Sequence, residues 1–257
     1  MGELQRGLAT RVLDNARLVG EDQEVVNEYR RLANNLEEER EKGERLRQEV
    51  GLVRTVLGRL DPLKRGLEED KEQGRYRWVA VEPRRFCSGH VNPASIEDAL
   101  DQHRFLLDLA PALLSMSPLD CEAIDVLFGF DFAFRGNHNS LLAEALGPGP
   151  ALEGVGDVPG SKLINYEPSL TIAVDEECRT QVRVSTETRT NAFQVRTGEF
   201  AEEQLSVYVT ARQYGSLEGG ETYVDTVERL AQLAQDVIES CVVEQILRPL
   251  ARTIALK

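Results

Sequence analysis

The residues best suited to chemistry in this chain are its few histidines and cysteines. Cys87 and His90 stand three residues apart in the sequence Cys-Ser-Gly-His, a spacing used by zinc ligands, and His103 could add a third ligand. A closed zinc site needs four ligands, usually in recognisable pairs, and Cys121 is not part of such a pair. His103 also falls on the apolar face of a predicted helix, where a core histidine is expected. We therefore predict that the chain holds no metal and no cofactor, and we name no catalytic residue.

A second polar group is the sequence Arg-Gly-Asn-His-Asn, which follows a predicted strand. Its Gly136-Asn137-His138 step resembles one motif of the calcineurin-like metallophosphoesterases. That family also uses a late Gly-His-x-His motif, and this chain has no histidine after position 138. Two-metal chemistry needs many nitrogen and oxygen ligands around both ions. We predict instead that Gly136 and Asn137 shape a turn and that Asn139 caps the next helix.

Arginines form the third group that could bind something. Arg179, Arg183 and Arg189 fall on the polar side of one predicted strand, and Arg212 falls on the same kind of face in a later strand. A row of arginines can hold an anion or an acidic peptide, since each guanidinium presents several donors. These four are therefore possible contacts for an anion or an acidic partner. The alternative is a solvated sheet face balanced by Glu187 and neighbouring acids.

The segment before these groups carries a heptad pattern. Apolar residues recur at alternating steps of four and three between Leu18 and Leu67, with charged residues between them. The pattern predicts a helical coiled-coil arm over residues 1–74, although Glu39 and Gly43 weaken the middle of its seam. An alternative is a long amphipathic helix packed on its own domain. The residues that we predict to mediate oligomerisation are Leu32, Leu36, Leu46, Val50, Val53, Leu57 and Leu60.

After Gly74 the apolar residues change to the alternation typical of strands. It is clearest at residues 76–81, 127–134, 163–174, 179–189 and 204–213, and it indicates antiparallel strands with one buried and one wet face. A helix is predicted after Pro93, and a long C-terminal helix from Thr222. The predicted fold class is α+β: a long N-terminal coiled-coil-like helix (1–74), then a globular domain (75–257) with a mostly antiparallel four- to five-stranded sheet and packed helices.

Charge and composition limit the function classes. Residues 1–75 contain 17 acidic and 15 basic side chains, so most of the net charge of −14 lies in the remainder of the chain. An acidic domain repels phosphate backbones, so nucleic-acid binding is disfavoured. The four scattered cysteines, and the absence of a leader or a long apolar run, favour a cytoplasmic protein without a membrane span.

These observations lead to two hypotheses of different classes. In the first, the chain is a non-enzymatic cytoplasmic assembly or adaptor protein that associates with itself or a partner through the N-terminal arm. In the second, an α+β domain that binds a ligand or catalyses a reaction carries an oligomerisation arm. Its site would lie on the arginine-bearing sheet face or near the segment from Cys87 to His90.

Overall fold

The computed structural model of the chain describes residues 65–71, 74–82, 84–149, 152–156, 158–217 and 219–257. The chain divides into two compact units, Met1–Pro93 and Ala94–Lys257. The described part of the first unit is a three-stranded antiparallel sheet in the order β1-β2-β3. Its strands are β1 (Arg65–Glu68), β2 (Tyr76–Glu82) and β3 (Arg85–Val91). The strand predicted at residues 76–81 is confirmed.

The second unit carries the other described sheet and the helices of the described residues. Before the sheet come helix α1 (Ile96–Leu114) and a 3₁₀ turn (Pro118–Asp120). The sheet has four antiparallel strands in the order β4-β7-β6-β5. These strands are β4 (Ala123–Arg135), β5 (Ser169–Ala173), β6 (Thr180–Glu187) and β7 (Glu202–Tyr214). Between them lie helices α2 (His138–Leu146), α3 (Glu153–Gly156) and α4 (Ala192–Thr197).

The C-terminal helix is long, as predicted, and has three parts: α5 (Tyr223–Val237), a π-helical stretch (Ile238–Leu247) and α6 (Arg248–Ala255). Thr222 begins it with a capping box, in which the Thr222 hydroxyl accepts from the N–H of Asp225 and the Asp225 carboxylate accepts from the N–H of Thr222. Ser95 caps α1 in a similar way, because its hydroxyl accepts from the N–H of Asp98 at 3.1 Å.

The α+β class is confirmed, but the predicted arrangement is wrong. The strands form two separate antiparallel sheets instead of one sheet of four to five strands. The prediction of a helix through residue 74 is also overturned, because Arg65–Glu68 is a strand in which Leu67 pairs with Val79. Leu67 is the last position of the heptad pattern, so the pattern continues into a segment that pairs as a strand. Residues 1–64 of the predicted arm, which include all seven predicted oligomerisation residues, lie outside the described residues.

The core of the second unit lies on one face of its sheet, where the C-terminal helix and α2 pack. One cluster joins Val182, Val209 and Ala211 of the sheet to Leu230 and Ala234 of α5. A second cluster joins sheet residues to α2 and α6 and contains Leu141, Leu142, Leu205, Val207 and Leu250. Burial of these aliphatic side chains is the main stabilising contribution, and truncation of one to Ala would cost about 2–5 kcal/mol. Among the described residues, no helix is long and apolar enough to cross a membrane.

Candidate functional site

The candidate site is the other face of the four-stranded sheet, which we call the open face. Directly opposite residues in paired strands share a face, so the register defines its membership. Leu127, Thr210, Arg183 and Thr171 form one row across all four strands. The flanking rows contain Asp125, Arg212 and Gln181 on one side, and Gly129, Tyr208, Ser185 and Ser169 on the other. The edge-strand members of these rows are exposed, whereas Val182 and Ala211 on the opposite face are buried.

Arg212 is held in place on the open face by an ion pair with Asp125. Its Nε lies 2.5 Å from Asp125 Oδ1, its Nη2 contacts Asp125 Oδ2, and its Nη1 lies 3.2 Å from the Tyr214 hydroxyl. The guanidinium carbon also lies 5.4 Å from the centre of the Tyr214 ring. Hydrogen bonding with Asp125 raises the pKa of Arg212. The bidentate geometry fixes the position of the guanidinium, although exposure keeps the pair's contribution to stability to about 1 kcal/mol or less.

The other three predicted arginines have different surroundings. Arg179 precedes β6, and its guanidinium donates to the carbonyls of Tyr214 at 3.2 Å and Ser216 at 3.0 Å. Arg189 follows β6 and forms an ion pair with Glu187. Arg183 donates from Nε to Ser169 Oγ at 3.1 Å, and among the described residues its two Nη groups contact no carboxylate.

The four arginines therefore do not form one row. The structure places Arg183 and Arg212 on the open face in neighbouring strands, while Arg179 bonds backbone carbonyls at the sheet's end. Arg183 is the arginine of the four with donors left for a partner. Contact of these residues with an anion or an acidic partner stays a prediction.

Beside Arg183 the open face is apolar and aromatic. Leu127 is 57% exposed in the middle of β4. The ring of Tyr208 leans across Gly129, since a β-carbon at position 129 would lie 3.3 Å from Tyr208 Cε1 and 3.9 Å from Leu127 Cδ2. The missing side chain at Gly129 thus lets the Tyr208 ring lie flat beside Leu127. An exposed leucine, a tyrosine and an arginine on a rigid sheet are residue types typical of protein interfaces.

The Gly136–Asn139 group is a structural clamp. His138 is buried, and its ring lies 3.1 Å (Nε2) from the Phe134 carbonyl and 3.3 Å (Nδ1) from the N–H of Arg189. Since a backbone N–H donates to Nδ1, Nε2 carries the proton. The clamp therefore ties the end of β4 to the segment after β6.

The two asparagines of this group complete the clamp. Asn139 donates to the Ile164 carbonyl at 2.9 Å and accepts from the N–H of Tyr166 at 2.8 Å. The predicted cap is corrected: Asn137 is the N-cap of α2, because its Oδ1 accepts from the N–H groups of Asn139 and Ser140. Asn139 lies inside the helix and reaches out to the 164–166 segment.

Cys87 and His90 both lie in β3, where side chains alternate between the two faces. Residues three apart therefore point to opposite faces of the strand, so these two cannot bind one ion without distortion of the sheet. The Cys-x-x-His spacing therefore lies within a regular strand and does not form a zinc site there.

A cleft of about 770 Å³ lies between α1 and the start of α5 in the second unit. Its carboxylates are largely engaged: Glu221 accepts from Arg229 Nη2 at 2.9 Å, and Asp225 accepts from the Thr222 hydroxyl at 2.7 Å. Burial opposes ionisation of Glu221, but the hydrogen bonds from Arg229 and its neighbours outweigh it, so the pKa of Glu221 is lowered. The apolar part of the lining comes from Phe105, Leu107, Pro111, Pro118, Leu217 and Val224.

Sequence reasoning missed Leu127, Tyr208 and Asp125 as members of the candidate site. The available signal was that Asp125, Gly129 and Asp131 alternate with the large apolar residues of β4, which marks the side facing away from the core. Pairing with β7, about 80 residues later in the chain, then decides which side chains accompany them.

Comparison of the chain with models of protein families, with curated proteins and with solved structures finds no significant match.

Proposed function

We propose that this chain is a non-enzymatic assembly or adaptor protein of the cytoplasm, with the open face of the four-stranded sheet as its contact surface for a protein partner. One observation carries the proposal. The exposed residues Leu127 and Arg183 and the half-buried Tyr208 form an apolar and cationic patch on the sheet, and the helices of the second unit pack on the opposite face.

The state of the polar side chains supports binding over catalysis. The most conspicuous polar cluster, around His138 and Asn139, bonds to backbone groups of neighbouring segments, and this is how a structural histidine is used. On the open face Asp125 is engaged by Arg212, and Asp131 accepts from Ser206 Oγ at 2.5 Å. A protein interface needs apolar contact area and charge complementary to its partner, and Leu127 and Arg183 present an exposed apolar residue and an exposed cation for such contacts.

The partner should be acidic where it meets Arg183, because among the described residues the Nη groups of that exposed side chain contact no carboxylate. Binding should weaken as salt rises, since an exposed ion pair is screened by mobile ions. The heptad-spaced residues between Leu18 and Leu60 remain a second predicted contact element.

The test compares partner capture by the full-length protein and by matched variants. Leu127→Asp with Arg183→Ser changes the open face, whereas Leu119→Asp with Arg248→Ser makes the same chemical changes at exposed sites away from it. Circular dichroism first establishes that both variants are folded. Proteins captured from the native cytoplasm are then quantified, and the strongest candidate is purified and titrated at two salt concentrations.

We expect at least one partner to be retained by wild type and the control variant and lost with the open-face variant. Its affinity for wild-type protein should fall as salt rises. Capture sets that are the same for all three proteins would refute the open face as the contact surface.

A small ligand is the second candidate function, and the cleft beside α5 favours it. The cleft combines an apolar lining with the carboxylate of Asp108, which suits a cation with an apolar body. A thermal-shift screen with apolar amines tests this second function. Asp108→Asn should abolish any increase in melting temperature that an amine causes.

A further inference from the structure

Strand β5 forms one edge of the four-stranded sheet. Within the part of the chain that the structure describes it pairs with β6 alone, and all five of its residues are exposed. Just beyond its two ends, the Val174 N–H donates to the Thr180 carbonyl at 2.9 Å and the Pro168 carbonyl accepts from the Thr186 N–H at 3.2 Å. In an antiparallel ladder alternate residues bond to the same neighbour, so even-numbered residues face β6. The backbone N–H and C=O groups of Ser169, Thr171 and Ala173 therefore point outward.

This edge lacks the usual protection against pairing. Proteins guard exposed strand edges with charged side chains, proline or bulges, because a row of unpaired backbone groups is a template for another strand. The sequence Ser-Leu-Thr-Ile-Ala has no charge and no proline within the strand. The opposite edge, β4, carries Asp125, Asp131 and Arg135.

Apolar side chains accompany the outward backbone groups. Leu170 is 67% exposed and Ile172 is 47% exposed. Both lie on the core side of the sheet, because they pair with Val184 and Val182. They extend the apolar surface of the core past the last strand, where one more strand with apolar side chains would cover them.

We infer that β5 pairs with the β5 strand of a second copy of this chain, in an antiparallel arrangement centred on Thr171. The two-fold axis places Thr171 opposite its own copy and Ser169 opposite Ala173 of the partner. Each such pair exchanges two backbone hydrogen bonds, and every outward group of the strand is used. On the core side, Leu170 then lies opposite Ile172 of the partner, and the two-fold axis generates this apolar pair twice.

The strand is thus complementary to itself in its outward backbone groups and its apolar side chains, and none of its five residues carries a charge that would oppose pairing. The product is one continuous eight-stranded sheet whose two open faces lie on the same side. This inference goes beyond the proposed contact on the open face and does not depend on it. The edge and the open face use different residues, so variants separate them.

The experiment uses full-length variants and sedimentation velocity over a wide range of concentration. Leu170→Lys with Ile172→Lys puts like charges opposite each other in the proposed register. We expect its dissociation constant for self-association to rise by more than about tenfold. Leu119→Lys with Leu256→Lys adds the same charge at exposed leucines elsewhere and should sediment like wild type.

A charge swap then tests the register. In Leu170→Glu with Ile172→Lys, each Glu lies opposite a Lys of the partner only if position 170 pairs with position 172. This variant should associate again within about threefold of wild type, because opposite charges directly across a strand pair attract. An equal mixture of the Lys/Lys variant and a Glu/Glu variant should also recover the dimer mass.

The outcomes are decisive in both directions. Unchanged sedimentation of the Lys/Lys variant would overturn the inference, as would a monomeric wild type at high concentration. Failure of the charge-swapped variant to recover, with a folded circular dichroism spectrum, would overturn the proposed register. The open-face variant Leu127→Asp with Arg183→Ser should keep the wild-type mass, so loss of partner capture and loss of self-association are told apart.

Discussion

The indole of Trp78 lies over Gly89 in the neighbouring strand of the three-stranded sheet. The two residues are directly opposite in the β2–β3 pair, and a β-carbon at position 89 would overlap the ring at Nε1, Cε2 and Cζ2. Glycine at this position makes room for the chain's one tryptophan.

Gly89→Val should therefore destabilise the first unit by about 2 kcal/mol, because the new side chain and the indole compete for one space. The fluorescence of Trp78 should change at the same time, since the ring must move. Urea unfolding followed by circular dichroism measures the stability. In a Trp78→Ala background the same substitution should cost much less, and equal costs in the two backgrounds would show that the overlap is not the cause.

Two asparagines that bond backbone groups should differ in importance according to their burial. Asn139 is fully buried and bonds Ile164 and Tyr166, whereas Asn191 is exposed and caps α4. Asn139→Ala removes the hydrogen bonds that a fully buried side chain makes to the Ile164 carbonyl and the Tyr166 N–H, and it should cost about 3 kcal/mol. Asn191→Ala should cost about 1 kcal/mol, typical of a lost N-cap. Urea unfolding measures the loss of stability in the two variants. Equal losses would contradict the structural role of Asn139 in the clamp.

The arginines also separate into two kinds. Arg179→Ser removes hydrogen bonds from a guanidinium to two backbone carbonyls and should cost about 1–2 kcal/mol. Arg183→Ser changes an exposed side chain and should alter stability by less than about 0.5 kcal/mol. Thermal unfolding of the two variants makes the comparison. A larger loss for Arg183 would mean that it supports the sheet and is not available to a partner.

The start of the C-terminal helix should be acid-sensitive. The pKa of Asp225 lies below its ordinary value of 3.8, chiefly because of the hydrogen bond with the Thr222 side chain. The hydrogen bond with the Thr222 backbone lowers it further. A carboxyl group with a lowered pKa in the folded state contributes stability above its unfolded-state pKa, and that contribution is lost as the pH falls through the folded-state pKa. The temperature at the midpoint of thermal unfolding should therefore decrease as the pH is lowered from about 5 to about 2. The decrease should be less steep in the variant Asp225→Asn. Equal slopes in the two proteins would contradict this role.

The heptad-spaced segment remains a prediction from sequence and has its own test. Leu46→Asp with Leu57→Asp places charges at two seam positions and should lower the mass in solution while the spectrum of the folded units stays the same. Light scattering of the full-length protein measures this. If the mass is unchanged here but falls in the β5 Lys/Lys variant, association rests on the strand edge alone.

Local patterns in the sequence predicted local elements well. The alternation around Phe128, Phe130 and Phe132 corresponds to β4, and the cap at Thr222 begins the long helix where expected. The strand predicted over 163–174 shrinks to Ser169–Ala173. The carbonyls of Leu163 and Ile164 accept from Asn137 and Asn139 side chains instead of bonding to a strand.

Pairing between strands could not be read in the same way. Alternation tells which side of a strand is apolar but not which strand lies beside it, so the division into two sheets was missed. The heptad pattern likewise continued through Leu67, because spacing alone does not show that this residue pairs with Val79 in a short strand. For the candidate site, residue types could be predicted from the sequence, whereas only the strand register shows that Leu127 and Arg183 lie in one row.

The strand order has a consequence for synthesis of the chain. Strand β4 is the first strand of its sheet to leave the ribosome, yet its one neighbour, β7, is the last. Until residue 214 has emerged, the phenylalanines of β4 have no strand beside them, and β5 and β6 can form only a hairpin. Closing so long a loop is slow, and such open strands invite misassembly with other nascent chains. We therefore expect the four-stranded sheet to be completed only after β7 has been synthesised.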